Sequence, residues 1–222
     1  MRVRRASSVW DRFYRRHEAP WRGERPIADI LPWLGPGLVL ELGCGNGKTL
    51  KPLLAAGIDA VGIDLSWNIL SRMPNRRALF LGDAADLPFA DATFAAVLDI
   101  HCTGHLLGRG RRRAAEEAWR VLTPGGALIV ERLGPGDLRA SQGVAVEGEA
   151  GVRAVADGRT THFADAARLR AEFEPAGFAV LAEDVDGRDI LHRGQAVRRE
   201  SVRVVFEKTA RVRARTPTFR LD

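Results

Sequence analysis

Short apolar runs alternate along the chain with stretches of helical period. Residues 38–42, 60–63, 78–81, 94–100, 127–132, 179–183 and 201–206 are rich in Val, Ile, Leu, Phe and Ala and read as strands. Residues 48–56, 67–72, 111–121 and 165–176 carry apolar positions every three to four residues and read as helices. Several of the strand runs show little polar alternation, as expected of strands buried on both faces, and helices between them would cover such a sheet. The predicted fold is therefore α/β, a doubly wound, seven-stranded, mostly parallel sheet. Turn signals agree with this division: Gly57 ends one helix, Thr123-Pro124-Gly125-Gly126 leads into a strand, and Pro175-Ala176-Gly177 closes the last helix.

Two segments fall outside the rhythm. Residues 9–25 carry Trp10, Phe13, Tyr14 and Trp21 and predict an amphipathic helix followed by a loop. Residues 133–163 are polar and glycine-rich, and Asp157-Gly158 between alternating positions predicts a hairpin over 152–161. Long insertions of this kind are commonly lids or binding loops. The expected organisation is a helical cap over 1–34, a main domain over 35–208 with an insertion at 133–163, and a flexible tail over 209–222.

Composition narrows the class. With 222 residues, 45% hydrophobic and 28% charged, the chain suits one globular domain. No apolar run approaches the roughly 18 residues a membrane helix needs. The basic start, Met1-Arg2-Val3-Arg4-Arg5, is not followed by an apolar signal region, so a cytoplasmic location is expected, with no membrane partner. Cys44 and Cys102 are too few for a disulfide framework or a cysteine zinc site, and no metal is expected. The net charge of +6 comes almost wholly from arginine, since Lys48, Lys51 and Lys208 are the only lysines. It marks polyanion binding only if the arginines cluster in space. The local candidates are Arg109 with Arg111 to Arg113, Arg198 with Arg199, and Arg211, Arg213 and Arg215.

The densest chemical signal is Leu40-Glu41-Leu42-Gly43-Cys44-Gly45-Asn46-Gly47-Lys48, which follows an apolar strand and opens a helix. Glycines in such a turn let the backbone bend sharply and approach a ligand, and the helix start behind them offers free N–H groups. A tight strand-to-helix connection without a ligand has the same local pattern. Ala60-Val61-Gly62-Ile63-Asp64 adds a carboxylate at the next strand end, about 20 residues beyond the glycines, the spacing at which an acid accepts hydrogen bonds from ribose hydroxyls. The glycines read G-x-G-x-G, and Lys48 stands where a dinucleotide fingerprint would need a small residue.

With Glu41 two residues before Gly43, the motif resembles the first motif of the class I S-adenosylmethionine-dependent methyltransferases, of the type 11/25 kind. Later segments are similar to that family in the same order: Gly82-Asp83-Ala84 after the third strand, Asp86-Leu87-Pro88-Phe89-Ala90-Asp91-Ala92-Thr93-Phe94 before the fourth, and Trp119-Arg120-Val121-Leu122-Thr123-Pro124-Gly125-Gly126 before the fifth. The resemblance covers roughly residues 35–132. It implies the family's Rossmann-like fold with an antiparallel last strand. It also implies an enzyme that uses S-adenosyl-L-methionine and releases S-adenosyl-L-homocysteine. Residue by residue, Glu41 would meet the methionyl amino group, and Gly43, Cys44, Gly45 and Gly47 would form the turn beneath the cofactor. Asp64 would hold the ribose, Leu65 would pack on adenine, and Asp83 and Ala84 would meet the adenine edge. Asp99 lies at the strand end that faces the sulfonium in the family. Tyr14 and Trp21 are the cap residues expected over the pocket, with Arg22 beside them.

For the acceptor, His101 is the candidate general base, because histidine exchanges protons near neutral pH. His105 and His162 are candidate acceptor contacts. Hydrogen-bonded loop histidines and a surface histidine are the plain alternatives. Cys102 lacks the preceding proline of cysteine-nucleophile pyrimidine methyltransferases, and no N/D-P-P-Y/F motif is present. A small-molecule acceptor is expected. The alternative is tRNA: the turn with His105-Leu106-Leu107 and the following arginines resembles tRNA wobble-uridine methyltransferases, which work with a small zinc-binding activator protein. Those enzymes carry His-His-Leu where this chain has Gly104-His105-Leu106. Protein methylation and a non-catalytic nucleoside-binding module remain further options.

Overall fold

The computed structural model describes residues 3–17, 20–192 and 194–209, with side chains from residue 9 onward. The predicted tail and its arginines at 211, 213 and 215 lie outside the described residues. Strands β1 (Val39–Leu42), β2 (Ala60–Asp64), β3 (Leu79–Leu81), β4 (Phe94–Ile100), β5 (Leu122–Leu133), β9 (Phe178–His192) and β10 (Gln195–Lys208) form one sheet. Its order is β3-β2-β1-β4-β5-β10-β9. The pairs among β1 to β5 are parallel, and β10 runs antiparallel to both β5 and β9. This is the Rossmann-like methyltransferase arrangement that the sequence resemblance implied.

Period-two alternation sends each strand's side chains to opposite faces, and both faces are buried. Leu40, Leu42, Val97, Leu128, Val130, Val204 and Phe206 pack with α4 (Gly108–Val121) and α5 (Ala166–Phe173). Val39, Ala96, Leu98, Ile129 and Val205 pack on the other side with Leu50 and Leu53 of α2 (Leu50–Ala55) and Ile69 and Leu70 of α3 (Trp67–Leu70). Phe13 and Tyr14 of α1 (Val3–Arg16) join that second cluster. Ala114, Ala115 and Ala118 give α4 a small-residue face against the sheet, and Asp165 caps α5 by accepting from the Arg168 N–H at 2.8 Å.

Several boundaries differ from the sequence reading. The aromatic helix spans 3–16 rather than beginning at residue 9, and residues 20–30 form an irregular strap. Residues 123–126 do not precede β5 but bulge within it. Phe94 pairs with Leu122 and Ala96 with Ala127, so these residues loop out, with Gly125 at φ 73°. The final two strands are far longer than their apolar cores. Beyond Ser201, which pairs with Leu133, the strand paired with β10 is β9, so residues 186–192 and 194–200 form a two-stranded arm overhanging the carboxyl end of β5. In the insertion, β6 (Val144–Ala145), β7 (Val152–Ala154) and β8 (Thr160–His162) make a small antiparallel sheet, with β7 and β8 joined as the predicted hairpin. Among the described residues no helix is long and apolar enough to cross a membrane.

Candidate functional site

A cavity of about 730 Å³ opens at the carboxyl ends of β1, β2, β4 and β5, the position at which open parallel sheets bind ligands. Its first half lies at the glycine turn. Gly43, Gly45 and Gly47 have φ of 62°, 50° and 79°, so the turn depends on residues free of a Cβ. A Cβ at Gly43 would stand 2.6 Å from Cys102 Sγ, and one at Gly45 would stand 3.1 Å from the Tyr14 hydroxyl. Gly43 and Cys44 line the cavity. Gly45 and Gly47 shape the turn behind it. Burial pushes the Cys44 thiol up, which keeps it inert.

Two carboxylates flank this turn. Burial raises Glu41 to about 8, although the Thr49 side chain and Leu50 N–H pull it down, and its Oε2 has no partner. Burial likewise raises Asp64 to about 6. Asp64 Oδ2 accepts from the Gly45 N–H and Oδ1 from the Ser66 N–H, each at 2.9 Å. Asp64 thus ties the turn to β2 and caps the following segment while lining the cavity. Leu65, Asp83 and Ala84 line the same end. Asp83 Oδ1 accepts from the Ala85 N–H at 2.9 Å. Tyr14 is buried, Trp21 is 39% exposed, and both border the cavity beside Gly45. Arg22 does not border it.

Asp99 departs from expectation. It is 1% exposed and lies beneath the cavity rather than in it. It accepts from Arg132 Nη2 at 2.7 Å, from the Thr103 N–H at 2.9 Å and from the Cys102 N–H. Although burial works the other way, Arg132 and Thr103 hold Asp99 below the usual carboxylate range. It is a buried ion pair that fixes the loop after β4, with its acceptor capacity consumed.

All three candidate histidines line the cavity. His101 sits in the left-handed region at φ 58°, which is costly for a residue with a Cβ. Its backbone N–H donates to the Glu131 carbonyl at 2.9 Å, and its Nε2 lies 3.2 Å from Glu131 Oε1. Glu131 also takes Arg25 at 2.7 Å and Arg203 at 3.0 Å. Against its burial, His101 and Arg25 hold Glu131 well below the usual carboxylate range. An ionised Glu131 can only accept, so the His101 Nε2 that faces it is the donor. His105 is bonded through Nδ1 to the Thr160 carbonyl and touches the Trp10 ring at 4.8 Å; burial lowers it to about 4. His162 is buried at 4% exposure, not on the surface, and burial together with Arg111 and Arg132 lowers it to about 3.

The second half of the cavity lies between the insertion and the β9–β10 arm. Arg159, at the hairpin of the insertion, stacks over Phe13 of α1 at 4.1 Å, so insertion and cap meet above it. Of the residues that organise this half, sequence reading named Arg199, as part of a basic pair with Arg198, and missed Arg25, Glu131, Arg132, Arg153 and Arg188. The one legible hint was Glu131-Arg132, two charges ending an apolar strand. The arginine run is also revised. Arg111 is buried against Glu172 at 2.7 Å and Glu149 at 3.3 Å, so Arg109, Arg112 and Arg113 do not form a continuous basic surface with it.

The cavity suits the cofactor implied by the resemblance. The unpartnered, buried Glu41 Oε2 matches a cationic amino group, and the turn at Gly43 leaves no room for a side chain. Among the described residues no cluster suited to a metal ion occurs.

Comparison with known proteins agrees. Residues 40–130 match the family described as "Methyltransferase domain". A demethylmenaquinone methyltransferase of Paenarthrobacter aurescens is 37% identical over 113 residues, 50% of this chain and 43% of that one. The "probable tRNA methyltransferase 9B" of Mus musculus is 37% identical over 98 residues, 43% of this chain and 22% of that one. The matched region thus spans less than half the length of these relatives. Among solved structures, Burkholderia thailandensis 1,6-didemethyltoxoflavin-N1-methyltransferase, with S-adenosylhomocysteine bound, superposes with a TM-score of 0.64 at 18% identity, covering 94% of this chain and 88% of that one. A methyltransferase in complex with the Haloferax volcanii Trm112 methyltransferase activator superposes with a TM-score of 0.59 at 20% identity, covering 82% and 87%. Over residues 40–130 the chain carries a methyltransferase domain of the class I S-adenosylmethionine-dependent kind.

Proposed function

We propose that the chain transfers a methyl group from S-adenosylmethionine to a small molecule held between the insertion and the β9–β10 arm. The observation that carries this reading is the continuity of the cavity, from the glycine turn past His101 into a space bordered by Arg153, Thr161 and Ser201. When bound, S-adenosylmethionine supplies a methyl group already activated on sulfur. The chain's part is then largely orientation and exclusion of water. Glu41 meets the amino group, Gly43, Cys44, Gly45 and Gly47 form the bed, and Asp64 holds the ribose. Leu65, Asp83 and Ala84 surround the adenine, while Tyr14 and Trp21 close over them.

His101 is the general base for a hydroxyl or amine acceptor. Glu131 fixes its tautomer and orientation, so that Nδ1 takes the proton. His105 and His162, both held neutral by burial, shape the acceptor wall. The test is labelled methyl transfer to small-molecule, RNA and protein fractions of a cell extract, with S-adenosylhomocysteine release measured alongside. Label in the small-molecule fraction supports the reading, and label in RNA alone removes it. His101→Ala should lower kcat by about 10²–10⁴ while S-adenosylhomocysteine affinity stays within about twofold.

The second reading is tRNA modification with a small zinc-binding activator protein. Similarity to the tRNA methyltransferase relative and to the activator-bound neighbour favours it. Its signature would be labelled RNA that requires an added activator.

A further inference from the structure

We infer that the acceptor carries an anionic group, a carboxylate or phosphate, that docks against arginines at the far end of the cavity. This rests on the methyl-transfer reading and adds the chemical class of the substrate. The two ends of the cavity differ in charge. Glu41, Asp64 and Asp83 border the glycine turn, which suits a cationic donor, whereas Arg139, Arg153, Arg188 and Arg199 border the opposite end.

Two features set this cluster apart from an ordinary charged surface. Arg188 and Arg199 are directly opposite in the β9–β10 register and both line the cavity, a like-charge cross-strand pair that is unfavourable unless an anion lies between them. On the other face of the arm, Arg198 is balanced by Glu200 at 3.1 Å and by its register partner Asp189 at 3.9 Å. Among the described residues, the carboxylate bonded to the cavity-side arginines is Asp137, and it is saturated. Its Oδ1 accepts from the Arg139 N–H and Nε, and its Oδ2 accepts from Arg139 Nη2, Arg199 Nε and the Glu200 N–H. Glu200 itself is taken by Arg198 and the Gly136 N–H.

Asp137 therefore aims two guanidiniums without leaving an acceptor for the rest. The side chains of Arg153, half-buried on β7, and Arg188, exposed on β9, make no hydrogen bond or ion pair among the described residues, and the carboxylate of Asp186, the remaining acid at this end, makes none either. A guanidinium offers five donors in a planar fork that matches carboxylate and phosphate oxygens. Arginines donated by the insertion and by the arm, pointing into one space, form a clamp for such a group.

The test uses the full chain saturated with S-adenosylhomocysteine, titrated at constant ionic strength with inorganic phosphate and, separately, with citrate. Binding of one or both should weaken at least tenfold in the Arg153→Gln/Arg188→Gln double variant. It should be unchanged in Arg198→Gln, on the opposite face. Phosphate alone or citrate alone distinguishes the two sources of charge. Binding of neither anion, or equal binding to the double variant, overturns the inference. So does total tRNA that binds through these arginines with a steep salt dependence, because the anion would then be an RNA backbone. Failure to bind S-adenosylhomocysteine at all would sink the methyl-transfer reading instead.

Discussion

Glu41 and Asp64 face the same space with their carboxyls raised by burial to about 8 and about 6. Each must shed its proton to meet a cationic or hydroxyl-bearing ligand in the charged form. Affinity for S-adenosylhomocysteine should therefore rise as pH climbs through about 6 and then through about 8, levelling off only beyond the second. Calorimetry across that range on Glu41→Gln should show a flatter curve, and an unaltered slope would remove Glu41 from the amino-group site. Asp64→Asn keeps an acceptor for the backbone but loses the charge, so binding should weaken by about 1.5–3 kcal/mol, roughly ten- to a hundredfold. These residues were legible because the chemistry is local: Glu41, the glycines and Asp64 lie within one strand-turn-helix-strand unit. Glu131 was not, since its meaning comes from Arg25, 106 residues away in sequence. Asp99 was misread for the same reason. Its partner Arg132 sits on the next strand, and only the fold reveals that the pair is closed.

At the scale of elements, the buried strands announce themselves because both of their faces are apolar. β1, β2 and β4 were read to within a residue at each end. The β9–β10 arm gave no such signal. Past Glu183 the strand runs Asp184-Val185-Asp186-Gly187-Arg188-Asp189, with no apolar face, because this arm packs on no core and is held by strand pairing and by polar bonds from Gly134, Gly136 and Asp137 to its base. The Gly43 turn yields a sharper prediction. Gly43→Ala places a Cβ 2.6 Å from Cys102 Sγ in a left-handed backbone, and should reduce S-adenosylhomocysteine affinity at least tenfold. Adding Cys102→Ala relieves only part of the contact, since the Cys102 Cβ stands 2.8 Å away, and leaves the backbone cost of about 1–2 kcal/mol. The double variant should recover partly. In α5, Phe173 is buried against Phe206 at 5.2 Å, and Phe173→Ala should cost about 3–5 kcal/mol in denaturant unfolding.

The whole molecule should show two opposed pH limbs in its stability. His105 and His162 are lowered to about 4 and about 3, so the stability they contribute is present above pH 6.5 and lost as pH falls through those values. Glu41 and Asp64 act oppositely. Their contribution is full below the ordinary carboxylate range and declines as pH rises through about 6 and about 8. Thermal unfolding from pH 4 to pH 8 should accordingly lose part of its acid limb in His162→Gln and part of its alkaline limb in Glu41→Gln. A His162→Gln profile that overlays the native one would refute the burial argument for that histidine. The general outline, a sheet with its cavity at the strand ends, followed from the sequence. The enclosure above it did not, because it is assembled from polar pieces whose lengths and partners carry no periodic signature.

The insertion and the arm both depart from the carboxyl side of β5 and its neighbour, whereas the family match is confined to residues 40–130. The molecule is in this sense modular: one stretch of chain carries the shared machinery, and two appendages border the space proposed for the acceptor. A chimera bearing the 134–163 and 186–200 segments of another member should inherit that member's choice of compound while retaining its own grip on the nucleoside. On the proposed reading, a change confined to either appendage alters the compound accepted and leaves cofactor binding as it was.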